Sequence, residues 1–532
     1  MMSEIEIQSR RYNIYSCLTI KTGNLEICFD PAKIRDEDLE KINPDYIFIS
    51  HESMDHMDPT QVYILQKKKN CKIYCSIASA VDLVQQFPYD TEFIGKINPL
   101  VPGCTITNKD LIIETQKSLH CDYMLPLVYK ISIKKDKISV LHCFDSFISD
   151  EIIDLSKDTS MAIVPIGIAK GVSINSGIEF LEKLESKKFM TNHFKSHEDL
   201  ENFKNLINND NRFIYMNWDE SKEVNLEQVE IKKDNYELEE INFILDKTYI
   251  EGSNTYKAIL SNINNLKCEI INNKEILNKL FDTYKNSDVE TKKVLLIIYT
   301  VLSLWDVNLI KEEVFEEIKK DLKLESDNSN NNLQTIILFF LSIYAQQSGE
   351  VKFLEEAMKI GSVEKEHNEY WVVEYLGRCL VSQKKTPKSI EEKLLEVISV
   401  PEIYNSVVVR RKIFWELHRI MKVIPTLTKD FVNIFEDGLT DSNPDVELLA
   451  TLCFGLANNI QKLTKQQLDK IFNLLKDDED DVRETAVRIA RGLNHKDYIK
   501  ENKDKLLELI NDNNCHVCHQ AELIKKFIEE ME

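Results

Sequence analysis

A change of grammar near residue 233 divides this 532-residue chain. Before it, short runs rich in β-branched and aromatic residues alternate with turns: YNIYSCLTI, LEICFDP, YIFIS, LVYKISI, KISVLHCF and MAIVPIG. Helical patterns such as PTQVYILQKK and SGIEFLEKLES lie between some of them. Eight of the twelve prolines precede residue 200, and none occurs between Pro165 and Pro387. Apolar runs separated by helices call for a sheet with helices laid on it, whereas a proline-poor stretch with helical period packs helix on helix. The length also exceeds one ordinary core. Residues 1–232 are therefore expected to form an α/β domain and residues 233–532 an all-α domain.

The helical part repeats. PDVELLATLCFGLA (444–457), DDVRETAVRIARGL (480–493) and CHVCHQAELIKKFI (515–528) superpose, with Val446, Val482 and Val517 in register and Ala450, Ala486 and Ala521 four residues on. Valine and alanine at i and i+4 give a narrow apolar stripe that lets helices approach closely. The pattern resembles HEAT repeats, which implies an all-α solenoid with an extended face for a protein partner. SDNSNNN (326–332) reads as a loop or a break in the array. Cys515-His-Val-Cys518-His519 matches a haem-attachment pattern, but it falls in register with the third repeat and is read as ordinary solenoid sequence.

A net charge of −22 argues against a general nucleic-acid or membrane-surface binder, because phosphates would repel it. The apolar runs VLLIIYTVLSLW and TIILFFLSIYA are too short to span a bilayer. No apolar leader opens the chain, and twelve scattered cysteines do not make a disulfide scaffold. A cytoplasmic protein with reduced thiols is expected.

The stretch YIFISHESMDHMDP, residues 46–59, carries the chemistry. A buried strand ends not in turn residues but in His51, Asp55 and His56. A metal site needs several donors converging from a rigid base, and a strand end supplies one. The stretch resembles the H-x-H-x-D-H signature of the metallo-β-lactamase-fold hydrolases, and especially the branch similar to the ascorbate-phosphate lactonases. CFDP (Asp30, Pro31), INPDYIFISH and the Asp58-Pro59 pair match that branch piece by piece.

The resemblance covers roughly residues 1–232 and implies an αβ/βα sandwich that binds zinc or manganese. Carried along the chain, it adds three ligands to His51, Asp55 and His56: His120 in SLHCDYMLPLVYKI, Asp145 in KISVLHCFDSF and His193 in KKFMTNHFKS. His142, on the opposite face of its strand from Asp145, is read as structural, and His197 as a residue of the first turn of a helix. The implied activity is metal-dependent hydrolysis of a lactone or phosphodiester-type substrate, with Asp55 orienting the attacking water.

Three places depart from the family pattern. Ser53 stands where the second histidine is expected, Phe144 where a glycine precedes the bridging aspartate, and Leu18 with its neighbours where a Gly-His-Ser element is expected near the first strand. The first departure implies one tight ion and a weaker second one. Together they leave open an alternative, a non-catalytic scaffold whose solenoid mediates protein contacts.

Overall fold

The computed structural model describes residues 4–231 except 14, 120–124, 168–172, 195–196 and 209. It further describes most of 256–322, then 331–348, 392, 395, 407–423, 429–457, 463–478, 480–493 and 495–531. The chain divides into two compact units, Met1–Ile298 and Tyr299–Glu532.

The first unit is built on two seven-stranded sheets. One runs in the order β14 (Ser221–Glu227), β1 (Glu4–Arg11), β2 (Leu18–Thr22), β3 (Leu25–Phe29), β4 (Tyr46–Ile49), β5 (Lys72–Ser76), β6 (Ile97–Leu100). The other runs β13 (Phe213–Ile214), β12 (Lys188–Asn192), β11 (Met161–Pro165), β10 (Ile138–His142), β9 (Leu127–Ile133), β8 (Leu111–Lys117), β7 (Thr105–Thr107). In each sheet four consecutive strands are parallel, β3 to β6 and β10 to β13.

Residue alternation along β4 shows how the layers form. Tyr46 and Phe48 join the core shared by both sheets, with Phe29, Tyr129, Ile131 and Phe144. Ile47 and Ile49 point the other way, into a second core with Val62, Leu65, Leu83 and Phe93 from the helices. A strand buried on both faces must be largely apolar, and in YIFI the one polar group, the Tyr46 hydroxyl, donates to Asp110.

The outer helices of the first sheet are α1 (Asp36–Leu39), α2 (Pro59–Lys69), α3 (Ile77–Gln86) and α4 (Thr91–Ile94). On the second sheet lie α5 (Asp150–Leu155), α6 (Ile174–Lys183) and α7 (His197–Leu206). A Cβ at Gly177 of α6 would lie 2.5 Å from Ile166 Cγ2, so only glycine lets this helix lie so close to the sheet. The result is the αβ/βα sandwich expected from the sequence. Further helices, among them Lys274–Asn286, complete the unit.

The second unit is all helical among the described residues. Here α8 (Val407–Val423) packs on α10 (Pro444–Ala457), α10 on α12 (Asp480–Gly492), and α12 on α13 (Cys515–Met531). Val446, Val482, Val517, Ala450, Ala486 and Ala521 are all buried, as the repeat register requires. Val409 and Ile413 of α8 are buried at the same spacing and add an upstream copy. The last segment, with its two cysteines, is an ordinary repeat helix: the Cys518 thiol donates to the Asp512 carbonyl.

The helices α9 (Lys429–Gly438) and α11 (Lys465–Asn473) form the partner layer. The turns before α10 and α13 share one device. Asn443 and Asn514 accept from the backbone N–H groups of Val446 and Val517, while Asp441 and Asp512 accept from those of the two asparagines. No described helix is long and apolar enough to cross a membrane.

Candidate metal centre

The parallel strands of both sheets end at one place. Asp30 follows β3, His51 follows β4, Asp145 lies three residues past β10, and His193 follows β12. Three residues leave their strands through left-handed backbone: Asp30 at φ 41°, Phe144 at φ 49° and His193 at φ 50°. Such conformations disfavour a side chain by about 1–2 kcal/mol each and persist where the surroundings hold them. Here they turn the chain sharply enough to aim side chains from both sheets at a common point.

Asp55, His56, Asp145 and His193 meet there, each offering one donor atom, and these atoms lie within 4.8 Å of one another. His56 Nε2 is 2.8 Å from His193 Nε2. The two Asp145 oxygens reach both rings, Oδ2 at 3.0 Å from His56 Nε2 and Oδ1 at 3.0 Å from His193 Nε2. Asp55 Oδ2 stands 3.5 Å from His56 Nε2 and 3.7 Å from His193 Nε2. His51 borders this group, its Nε2 3.8 Å from Asp145 Oδ2 and its ring centroid 4.2 Å from that of His56. His120 lies outside the described residues.

A shell of hydrogen bonds holds the rings. Asp30 Oδ2 lies 2.5 Å from His56 Nδ1, which leaves Nε2 facing the cluster. The Ser50 hydroxyl donates to Asp30 at 2.9 Å and lies 2.9 Å from His51 Nδ1. A hydroxyl that gives its proton to Asp30 accepts from His51, so the Nε2 lone pair of His51 is turned toward Asp145. Ser16 Oγ is 3.2 Å from His56 Nδ1 and accepts from Asn192. Ser53 donates to Asp55 Oδ1 at 2.5 Å.

The charges oppose burial and prevail. Burial alone would raise the Asp145 carboxyl, but His193 and His56 outweigh it and hold it well below the usual carboxylate range. For Asp55 burial again works upward, and His56 and His193 pull it below the ordinary value. Burial would depress His56, yet Asp145, Asp55 and Asp30 hold it well above the ordinary imidazole value. Asp30 is the reverse case: burial pushes it up despite the hydrogen bonds from His56 and Ser50.

Asp55, His56, Asp145 and His193 could together hold a metal ion. Two nitrogens and two carboxylates are a donor set for a divalent cation. The donor atoms stand 2.8 to 3.7 Å from the imidazole nitrogens they face, the scale of separation between ligands of one small ion. The residues present therefore fit a divalent ion.

His142 and His197 stand outside the cluster. His142 is fully buried, accepts from the Phe144 N–H at 3.1 Å, and stacks on the Phe144 ring with centroids 3.8 Å apart. Burial drives its pKa well below the ordinary value, so it is a neutral core residue. His197 is exposed on α7 and bonds to Tyr215 and Asn217. Sequence reading noted Asp30 only as part of an Asp-Pro pair and missed Ser16, Ser50 and Asn192. An aspartate directly after a buried strand was the available signal.

No protein-family model matches this sequence, and no curated protein matches it. Among solved structures the chain is similar to Igni18, a metallo hydrolase from the hyperthermophilic archaeon Ignicoccus hospitalis. The identity is 19% over 41% of this chain and 98% of that one, with a TM-score of 0.35. It is similar to the metallo-β-lactamase-fold protein YhfI from Bacillus subtilis at 16% identity, over 41% of this chain and all of that one, with a TM-score of 0.35. It is also similar to Kap121p at 14% identity, over 54% of this chain and 33% of that one, with a TM-score of 0.36.

Proposed function

We propose that the chain is a metal-dependent hydrolase of the metallo-β-lactamase fold, in its lactonase-like branch, acting on a lactone or phosphodiester-type substrate. The observation that carries the reading is the convergence of Asp55, His56, Asp145 and His193 within 4.8 Å at the ends of strands from both sheets. In our reading these four residues, bordered by His51 and joined by His120, hold zinc or manganese. A divalent ion held there supplies a hydroxide at neutral pH and stabilises a developing oxyanion. Asp55, ionised beside His56 and His193, orients the attacking water through Oδ2. Asp30 and Ser50 keep the imidazoles in the tautomer that presents Nε2.

Residues 1–232 we take as the catalytic domain and 233–532 as a HEAT-like solenoid that recruits a protein partner or the substrate. A reducing, cytoplasmic setting is part of this reading, in which buried cysteines such as Cys17 and Cys28 are free thiols. The test is metal content by mass spectrometry together with hydrolysis of bis-p-nitrophenyl phosphate and a simple lactone. Asp145→Ala should lose both the metal and the activity. Protein that stays inert with Zn²⁺ and Mn²⁺ overturns the catalytic reading and favours the scaffold alternative.

A further inference from the structure

Ser53 lies in the turn that carries two of the donors. Its carbonyl accepts from the N–H of His56 at 3.0 Å and of Met57 at 2.7 Å, so the backbone folds back on itself and brings Asp55 over the Ser53 side chain. There the hydroxyl donates to Asp55 Oδ1 at 2.5 Å. The other oxygen, Oδ2, is the one that faces His56 and His193. Asp145, by contrast, spends both oxygens on the same two rings. Among the described residues, the donors thus surround one point. Beyond it, His51 adds a single nitrogen, 3.8 Å from an Asp145 oxygen that already faces His56.

We propose that Ser53 is a positioning residue: its hydroxyl captures Oδ1 of Asp55 and leaves Oδ2 as the one oxygen this carboxylate presents to a divalent cation. The proposal rests on the metal-centre reading above and adds to it the residue that orients one of the donors. A carboxylate free to rotate would offer either oxygen or both, and it would pay the entropy of being ordered each time an ion entered. A carboxylate already hydrogen-bonded through one oxygen is oriented before the ion arrives. It also cannot chelate through both oxygens without breaking a charge-assisted hydrogen bond.

The experiment is a titration of the metal-free full-length protein with Co²⁺ and Zn²⁺, read by calorimetry, by bound-metal stoichiometry and by the visible spectrum of Co²⁺. Ser53→Ala should bind about 10–100-fold more weakly, the usual cost of removing a partner that orients a ligand. It should also lose visible Co²⁺ intensity, because Oδ1 is freed to raise the coordination number. Ser53→Thr, which keeps the hydroxyl, should restore both affinity and spectrum.

An unchanged affinity and spectrum in Ser53→Ala, or a Ser53→Thr that restores neither, would overturn the role given to Ser53 and leave the metal centre standing. A wild-type chain that takes up no ion overturns the metal centre itself, and this proposal with it.

Discussion

Asp30 and His56 meet at 2.5 Å, Oδ2 to Nδ1, both fully buried and 26 residues apart in sequence. The contact chooses which nitrogen of His56 faces the cluster. Asp30 is itself held by the N–H of Ser50 at 2.8 Å and by the Ser50 hydroxyl, so the two strand ends and the imidazole form one unit. Asp30→Ala should weaken Zn²⁺ binding by about 10–100-fold, measured by calorimetry. It should also cost about 1–3 kcal/mol of stability in the metal-free protein, because the Ser50 N–H loses its buried acceptor.

Metal removal should act on one unit only. An ion that binds the folded cluster and not the unfolded chain adds RT ln(1 + [L]/Kd), about 2.7 kcal/mol at a hundredfold excess over Kd. The donors all lie in Met1–Ile298, so calorimetric scans with and without chelator should move the transition of that unit and leave the helical one unchanged. A parallel shift of both transitions would contradict this.

Phe144 occupies backbone that suits glycine, at φ 49°, yet its ring is fully buried against His142, Phe29 and Tyr129. Two effects of opposite sign follow. Phe144→Gly relieves about 1–2 kcal/mol of left-handed strain and loses about 3–5 kcal/mol of aromatic burial. Burial wins, and urea unfolding should show a net loss of about 1–4 kcal/mol. Phe144 is thus a packing solution that keeps the turn delivering Asp145.

How far the site was legible follows from the kind of signal each residue leaves. His51, Asp55 and His56 sit together behind β4 and announce themselves by spacing. Asp145 and His193 each follow a strand, and the structure brings both to the first group. Asp30 and Ser50 act through side-chain bonds to residues brought near by the β3–β4 pairing, and no local pattern records such a bond. The sandwich was legible because strands buried on both faces must be largely apolar. In the solenoid, the repeat at Val409 was hidden because Ile413 replaces the alanine four residues on, although the packing is the same. Left-handed φ at Phe144 could not be read at all, since its residue type argues against it.

Asp38 gives a pH-dependent test away from the cluster. Its side chain is 1% exposed and accepts from Arg35 Nε at 2.7 Å, Lys41 Nζ at 2.9 Å and Arg10 Nη2 at 3.1 Å. Burial would raise its pKa, but Lys41 and Arg35 outweigh it and lower the carboxyl below its ordinary value. A carboxyl depressed in the folded state contributes stability above its unfolded pKa of about 3.9, and the contribution is lost as pH falls through the folded value. Asp38→Asn should therefore cost about 1.5–3 kcal/mol at pH 7, and the gap between variant and wild type should shrink below about pH 4. Urea unfolding at pH 7 and pH 3 measures both.

The last prediction concerns how neighbouring repeats are tied. Arg483 of α12 forks onto Asp512 in the turn before α13, Nε to Oδ2 and Nη2 to Oδ1, both at 2.9 Å. Its Nη1 also donates to the Asp477 carbonyl at 2.7 Å. Arg410 of α8 makes the same fork to Asp441 in the turn before α10, at 2.7 and 3.1 Å. Side chains so engaged are 15% and 8% exposed for Arg483 and Asp512, so water screens them little. A lysine offers one point charge and cannot span both oxygens. Arg483→Lys should therefore lose most of the coupling, and a double-mutant cycle with Asp512→Asn should return about 1–3 kcal/mol. Because stability in a repeat array is a sum of neighbour terms, the loss should broaden the urea transition of the helical unit as well as lower its midpoint. A cycle energy near zero would mean that Val482, Ala486, Val517 and Ala521 hold these repeats together without help from the charge pair.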